Sequence, residues 1–350
     1  MYAQILKDIG QLEHCETEKP KLSFNDVLVE VKAAGICGSD IPRIYKTGAH
    51  NMPLIPGHEF SGKVVCAPGV GARWNGKRVG VFPLIPCRQC PQCLEKKYEM
   101  CRHYDYLGSR SDGAFAEYVK VPRLNLIELP DNVSYESAAM LEPMAVAAHA
   151  MRNVSPKDDD KICVCGLGTI GLLLVMLLVN EYDAKNIFVI GNKDFQKEMA
   201  VKIGISEENY CDIKANDASL WISEKIPAGP DVFFECVGKN ETVSLAVDVT
   251  APGGRVQLVG NPASDMTLEK NIYWKILRNQ LTVLGTWNSS FTKAEDDDWH
   301  YCLDMMSSGR VNPEMLITHR FTLDKLEEGL VIMRDKTEDY VKIMTTFETE

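Results

Sequence analysis

Cys87, Cys90, Cys93 and Cys101 follow one another as C-x2-C-x2-C-x7-C. Four thiols at this spacing suit a closed tetrahedral zinc site, and buried thiols with no metal would not need strict three-residue steps. A second set is mixed. It comprises Cys37, then His58 and Glu59 in Gly57-His58-Glu59, then Glu142. Sulfur, nitrogen and oxygen donors around one open position are the pattern of a catalytic zinc, which acts as a Lewis acid. Glu59 and Glu142 are both carboxylate candidates of this set. Further on, Gly166-Leu167-Gly168-Thr169-Ile170-Gly171 follows the apolar run Ile162-Cys163-Val164-Cys165. In this G-x-G-x-x-G the first glycine permits a tight turn and the second admits a pyrophosphate. The third allows close helix–strand packing, and the helix N-terminus offers free N–H groups. A closed metal set, an open one and a dinucleotide turn together point to a zinc enzyme that moves hydride.

The end of the next strand reads Val189-Ile190-Gly191-Asn192-Lys193. An NAD site places Asp or Glu there to hold the ribose 2′-hydroxyl. Here the acid is missing. Gly191 leaves room for a 2′-phosphate and Lys193 can neutralise it, so the expected cofactor is NAD(P) with a preference for NADP(H). The competing reading has Asn192 hold the hydroxyl while Asp194 caps the following helix.

Elements must carry these residues. At 350 residues the chain is long for one core, and two domains are expected. Residues 1–144 read as short strands and turns. Val27–Lys32 alternates with period two, and Gly57–Val65, Gly76–Val81 and Ala114–Val119 are further strand-like runs. Near Pro143 the pattern becomes strand–helix alternation. Strands are expected at Lys161–Cys165, Ile187–Ile190, Val232–Cys236 and Arg255–Leu258, with helices at Ile170–Glu181 and Asp194–Gly204. Such alternation implies a doubly wound parallel sheet. The expected fold is therefore two-domain α/β. A β-rich catalytic zinc domain spans 1–144 and 288–350, and a Rossmann dinucleotide-binding domain spans 145–287.

Composition narrows the function. Net charge is −11 with no basic run, which argues against nucleic acid or an anionic membrane as partner. The longest apolar stretch, Ile170 to Val179, is too short to span a bilayer. Twelve cysteines without a signal-peptide pattern suit a reducing compartment, and a cytoplasmic location is expected.

Several motifs together resemble the zinc-dependent medium-chain alcohol and polyol dehydrogenase family, over nearly the whole chain. They are Gly35-Ile36-Cys37-Gly38-Ser39-Asp40, Gly57-His58-Glu59, the four-cysteine lobe, Asp112 to Tyr118, Leu141-Glu142-Pro143 and the glycine-rich turn. The resemblance implies a GroES-like catalytic domain and two zinc ions, one catalytic and one structural. It places Cys37, His58 and Glu142 or Glu59 around the first ion. It also starts a proton relay at Ser39, lets Asp40 orient His58, and adds Val237, Val259, Gly260 and Thr286 to the cofactor contacts. A homodimer or homotetramer is implied too.

Within that family the loop after Cys37 matches the polyol branch and carries cations. Arg43, His50 and, further on, Arg110 are candidates to hold a substrate phosphate, with Trp287 and Asn288 bordering the pocket. The expected substrate is a small polyol phosphate oxidised at a secondary alcohol, galactitol 1-phosphate to tagatose 6-phosphate being the specific expectation. The alternatives are an unphosphorylated polyol or sugar acid (sorbitol or L-idonate type), L-threonine, or a zinc-binding protein without activity.

Overall fold

The computed structural model describes residues 1–347. The chain separates into two compact units, 1–143 with 290–350, and 144–289.

The first unit is built on a seven-stranded sheet. Its central strand, Asp26–Ile36, buries Val27, Val29, Val31 and Ala33 on alternate positions, as a half-buried strand should. Beyond Ala33 the alternation ends, and Ala34, Gly35 and Ile36 are all buried. There the strand runs antiparallel to both Glu59–Cys66 and Lys342–Thr346, with Gly35 opposite Glu59 on one side and Met344 on the other. Its first half stays paired with Glu59–Cys66 and, in place of Lys342–Thr346, has Tyr118–Pro122. The ordered ladder at that partner begins only at Tyr118, later than the expected run from Ala114. Residues 113–116 bend at Ala114 and Phe115, and their backbone bonds go to Ile55, Pro56, Gly57 and Gln4 in an irregular crossing. Gly57 holds φ +96°, and a Cβ there would lie 2.7 Å from the Phe115 ring.

The second unit is a six-stranded parallel sheet. Its order is Tyr210–Asp212, Ile187–Gly191, Ile162–Cys165, Val232–Glu235, Arg255–Leu258, Thr282–Gly285. In chain sequence that is 3-2-1-4-5-6, the Rossmann order, with its reversal between Ile162–Cys165 and Val232–Glu235. The two-domain α/β expectation, a GroES-like part and a Rossmann part, is the fold found. The helix Thr169–Glu181 is apolar on every side and accordingly buried from Gly171 to Leu178. Each such aliphatic side chain contributes about 1.5–3 kcal/mol by leaving water. The sheet edge is Thr282–Gly285, one strand beyond Arg255–Leu258. No helix among the described residues is long and apolar enough to cross a membrane.

Candidate active site

Cys37 directly follows the central strand, His58 directly precedes the neighbouring one, which Glu59 opens, and donor atoms of the three lie within 4.8 Å of one another. His58 and Glu59 are buried and Cys37 is partly open. One thiol, one imidazole and one carboxylate in a buried cluster fit a zinc ion with an open position. Glu142, in the first turn of the helix Leu141–Val154, falls outside that cluster. It is buried, accepts a 3.1 Å hydrogen bond from the Tyr106 hydroxyl, and is pushed up to about 7 by burial, with Glu59 adding to the rise. A divalent cation beside it would favour the ionised form.

Asp40, fully buried, organises the other side. It accepts the Cys37 N–H at 3.0 Å, pairs with the Arg43 guanidinium, and lies 3.5 Å from His58 Nδ1. Burial opposes its charge, but His58, Arg43 and the Cys37 amide hold its carboxyl below the usual range. Burial likewise disfavours charge on His58, yet Asp40 and Cys37 hold its imidazole well above the ordinary value. Metal and proton compete for such a ring. Ser39 Oγ donates to Cys37 Sγ at 3.3 Å, and an Arg43 nitrogen lies 3.5 Å from Ser39 Oγ.

Sequence reasoning missed two groups here. Lys342 is fully buried in the strand Lys342–Thr346 and pairs directly with Glu59. Burial works against its charge, but Glu59, Cys37 and Glu142 keep it protonated. Gly35 makes the space: a Cβ there would sit 2.3 Å from Glu59 Oε2 and 2.6 Å from Lys342 Cε. The available signal was a lysine inside the apolar run Val341-Lys342-Ile343-Met344. The second group is Tyr106, whose ring stands edge-on to His58 at 5.7 Å. Nothing in its neighbourhood in sequence marked it.

The four cysteines also converge. Cys87 Sγ lies 3.9 Å from Cys93 Sγ and Cys90 Sγ 3.9 Å from Cys101 Sγ. A tetrahedron of thiolates about 2.3 Å from zinc has edges of about 3.8 Å, so the lobe fits the ion. Backbone N–H groups at Cys93 and Arg102 favour the Cys90 thiolate, drawing it down to about 6.

In the second unit the glycines of the turn have distinct reasons. Gly166 holds φ +98°, where a Cβ would meet Val237 Cγ2 at 2.5 Å, and a Cβ on Gly171 would lie 1.9 Å from the Gly166 carbonyl oxygen. Gly168 faces open space, and Thr169 and Ile170 open the helix behind it. Across the strand reversal, Glu235 Oε1 accepts from Val237 N and Gly238 N, while Val259 N and Gly260 N donate to the Glu235 carbonyl. Thr286 Oγ1 is buried with no hydrogen-bond partner. This cradle fits a dinucleotide. Gly191 also has a local steric cause. A Cβ there would meet the Tyr210 hydroxyl at 2.7 Å, and that hydroxyl donates to the Lys193 carbonyl. Asn192 N donates to Gln196 Oε1, and Lys193 Nζ stands 5.1 Å over the Phe195 ring.

Of the residues expected at the substrate, Arg43, His50 and Arg110 belong to the first unit and Trp287 and Asn288 to the second. Arg43 is committed to Asp40, and Arg110 stacks over the Tyr104 ring at 4.4 Å, with Tyr104 edge-on to Tyr106. His50 is exposed. Trp287 is exposed in the second unit, where Asn288 holds φ +57° and accepts from Ser289 N.

Residues 23–131 match the alcohol dehydrogenase GroES-like domain and residues 169–308 the zinc-binding dehydrogenase domain. The chain is 33% identical to galactitol 1-phosphate 5-dehydrogenase of Escherichia coli K12 over 92% of its own length and 93% of that protein's. The chain belongs to the zinc-dependent alcohol dehydrogenase family. It is thus of an oxidoreductase class whose fold carries zinc and a nicotinamide cofactor. The crystal structure of E. coli galactitol-1-phosphate dehydrogenase superposes with a TM-score of 0.91 at 30% identity, covering 99% of this chain and 100% of the other. An E. coli CFT073 alcohol dehydrogenase complexed with NADH gives 0.90 at 28%, covering 99% of both chains. A Sinorhizobium meliloti zinc-binding dehydrogenase bound to NADP gives 0.88 at 27%, again with 99% coverage of both.

Proposed function

We propose that this dehydrogenase oxidises a secondary alcohol of a phosphorylated polyol, with galactitol 1-phosphate as substrate and tagatose 6-phosphate as product. The observation that carries the reading is the position of Arg43. Its guanidinium reaches both Asp40 and Ser39, beside the Cys37 thiol, so a cation is built into the wall of the catalytic cluster. Only part of its five-donor fork is used by Asp40, and the rest suits a phosphate. The likeness to galactitol 1-phosphate 5-dehydrogenase supports the same substrate class.

Cys37, His58 and Glu59 would hold the catalytic zinc, with Glu142 able to exchange with Glu59, and the four-cysteine lobe would hold a second ion. Bound zinc would supply Lewis acidity at the alcohol oxygen, and the nicotinamide would take up the hydride. Ser39, whose Oγ sits 3.3 Å from the Cys37 sulfur, would begin the proton relay, passing its own proton on to solvent as it takes up the one that the substrate hydroxyl loses. Asp40 fixes the His58 ring and the Cys37 backbone. Lys342 balances Glu59, so that the buried cluster does not carry two uncompensated carboxylates.

NADP(H) is the favoured cofactor. Because Tyr210 accounts for Gly191, this rests on the lack of a carboxylate at residues 191–193 and on Lys193. The assembly is inferred to be a homodimer joined at the edge strand Thr282–Gly285. There Val283 is exposed, and so are Tyr273, Trp274 and Leu277 on the helix Lys270–Arg278.

Initial rates on galactitol 1-phosphate, galactitol and sorbitol, each with NAD+ and NADP+, test the reading. One charge-assisted phosphate contact at about 1.5–3 kcal/mol gives the ester a kcat/KM advantage of roughly 10–150-fold. Equal values for galactitol and its phosphate would remove the phosphate assignment, and equal values for the two cofactors would remove the role of Lys193.

A further inference from the structure

Away from the catalytic cluster, the first unit contains a second concave site of about 670 Å³, lined by Arg73, Trp74, Arg123, Lys293 and His300 among others. That volume is ordinary for a small-molecule pocket. Its charge is not ordinary for this chain. The protein carries a net −11, yet three cations line the cavity and none has a carboxylate within ion-pair distance among the described residues. Glu128 at the rim is taken by Lys77 at 2.6 Å. Asp297, below the site, accepts from the backbone N–H groups of Thr292, Lys293 and His300 and from the His300 ring. These acids are engaged elsewhere, and none of the three cations is paired with one.

The cations are also held in place. Lys293 has φ +70°, a left-handed backbone that costs a lysine energy and aims its side chain. Although the residue is exposed overall, its ammonium sits 4.2 Å from the centre of the buried Phe291 ring and donates to the Leu126 carbonyl. Phe291 is stacked on its other contact by the His300 ring at 5.8 Å. Arg123 Nε is buried and has no hydrogen-bond partner. A guanidinium N–H in that state is costly unless something accepts from it.

We infer that this cavity is a second ligand site, separate from the catalytic one, for a small phosphate-bearing anion gripped by Arg73, Arg123 and Lys293. Planar guanidinium donors and a point-charge ammonium are a common phosphate-binding combination. The chemistry is shared by inorganic phosphate and by phosphorylated metabolites. Burial, with help from Arg88 and Arg73, pulls the Lys293 amine down to about 8, while Asp297 pushes it up. An anion would pull it back up. The groups facing Lys293 are thus Arg73, Arg88, Arg123, His300, Asp297 and Glu128. Since the protonated amine is the binding form, affinity is complete below pH 8 and declines above it.

The test is calorimetric titration of the zinc-loaded enzyme, with saturating NADP+ to occupy the glycine-rich turn, using inorganic phosphate and fructose 1,6-bisphosphate as probes. One site per chain is expected, weakened at least tenfold in Lys293→Asn, which keeps a side chain tolerant of left-handed backbone, and likewise in Arg123→Gln. Arg43→Gln should leave it in place. For the bisphosphate, affinity should fall about tenfold between pH 7 and 9 in the parent, and this dependence should vanish in Lys293→Asn. A tighter bisphosphate identifies a phosphorylated metabolite as the ligand, equal affinities identify inorganic phosphate, and both support the site. Undiminished binding in the Lys293 and Arg123 variants, loss in Arg43→Gln alone, or no heat from either probe would overturn it.

Discussion

Replacing Lys342 by Met tests the architecture of the catalytic cluster most directly. Lys342 and Glu59 are each 2% exposed at the side chain and are each other's counter-charge. Methionine fills a similar volume without charge, so the variant leaves Glu59 buried and unpaired, with Glu142 close enough to repel it. Breaking a buried pair by removing one partner costs about 3–5 kcal/mol. The first unit has about 200 residues, for which each kcal/mol moves Tm by about 2–4 °C, giving an expected drop of about 6–20 °C. Scanning calorimetry on zinc-stripped protein should show the full loss. In zinc-loaded protein the drop should be smaller, because a cation beside Glu59 replaces the missing ammonium. Glu59→Gln combined with Lys342→Met should recover most of the stability, since no bare charge then remains. The reasoning fails if Lys342→Met melts within about 2 °C of the parent in both metal states, or if the double variant is no better than the single.

Arg43→Gln should lower kcat/KM on both galactitol 1-phosphate and galactitol, because it releases Asp40 from its counter-ion. A loss confined to the phosphate ester would mean that Arg43 contacts substrate alone. Cys90→Ser should reduce zinc per chain from two to one by metal analysis and lower Tm, while the folded fraction keeps its turnover; a folded, fully metallated but inactive Cys90→Ser protein would contradict a structural lobe. Gly171→Ala places a carbon 1.9 Å from the Gly166 carbonyl and should distort the turn. Fluorescence titration should then show nicotinamide cofactor bound at least tenfold more weakly, and unchanged binding would mean that the turn does not set the cofactor site.

The parts legible in sequence were those whose residues lie close together along it. The glycine-rich turn, the four-cysteine lobe and the strand–helix alternation each declare themselves within a few dozen residues, because one local geometry dictates all their members. Cys37 and His58 were legible from short motifs. Lys342 was not, since its partner is 283 residues away and a lone lysine in a strand looks like a solvated one. Tyr106 was hidden for the same reason. Gly191 was read as space for a ligand, and a Cβ there would also meet the Tyr210 hydroxyl from the adjacent strand at 2.7 Å. The stretch from Ala114 looked like a regular strand because burial gave it apolar residues, but its hydrogen bonds go to three separate segments. Arg43 was read as a free cation, and its tie to Asp40 became visible only with side chains in place.

The distance between Glu59 and Lys342 along the chain has a consequence for biogenesis. A ribosome adding about 5–20 residues per second needs on the order of 15–60 s to travel from one to the other. Throughout that interval the nascent cluster has its acid but not its base, and the strand that completes the central sheet does not yet exist. Residues 144–289 emerge whole in the meantime and can fold as a unit. The nucleotide-binding half therefore has the opportunity to mature first, and a metal captured early by Cys37, His58 and Glu59 would meet an unfinished pocket. Until residue 342 is synthesised, Glu59 has no lysine to offset its charge.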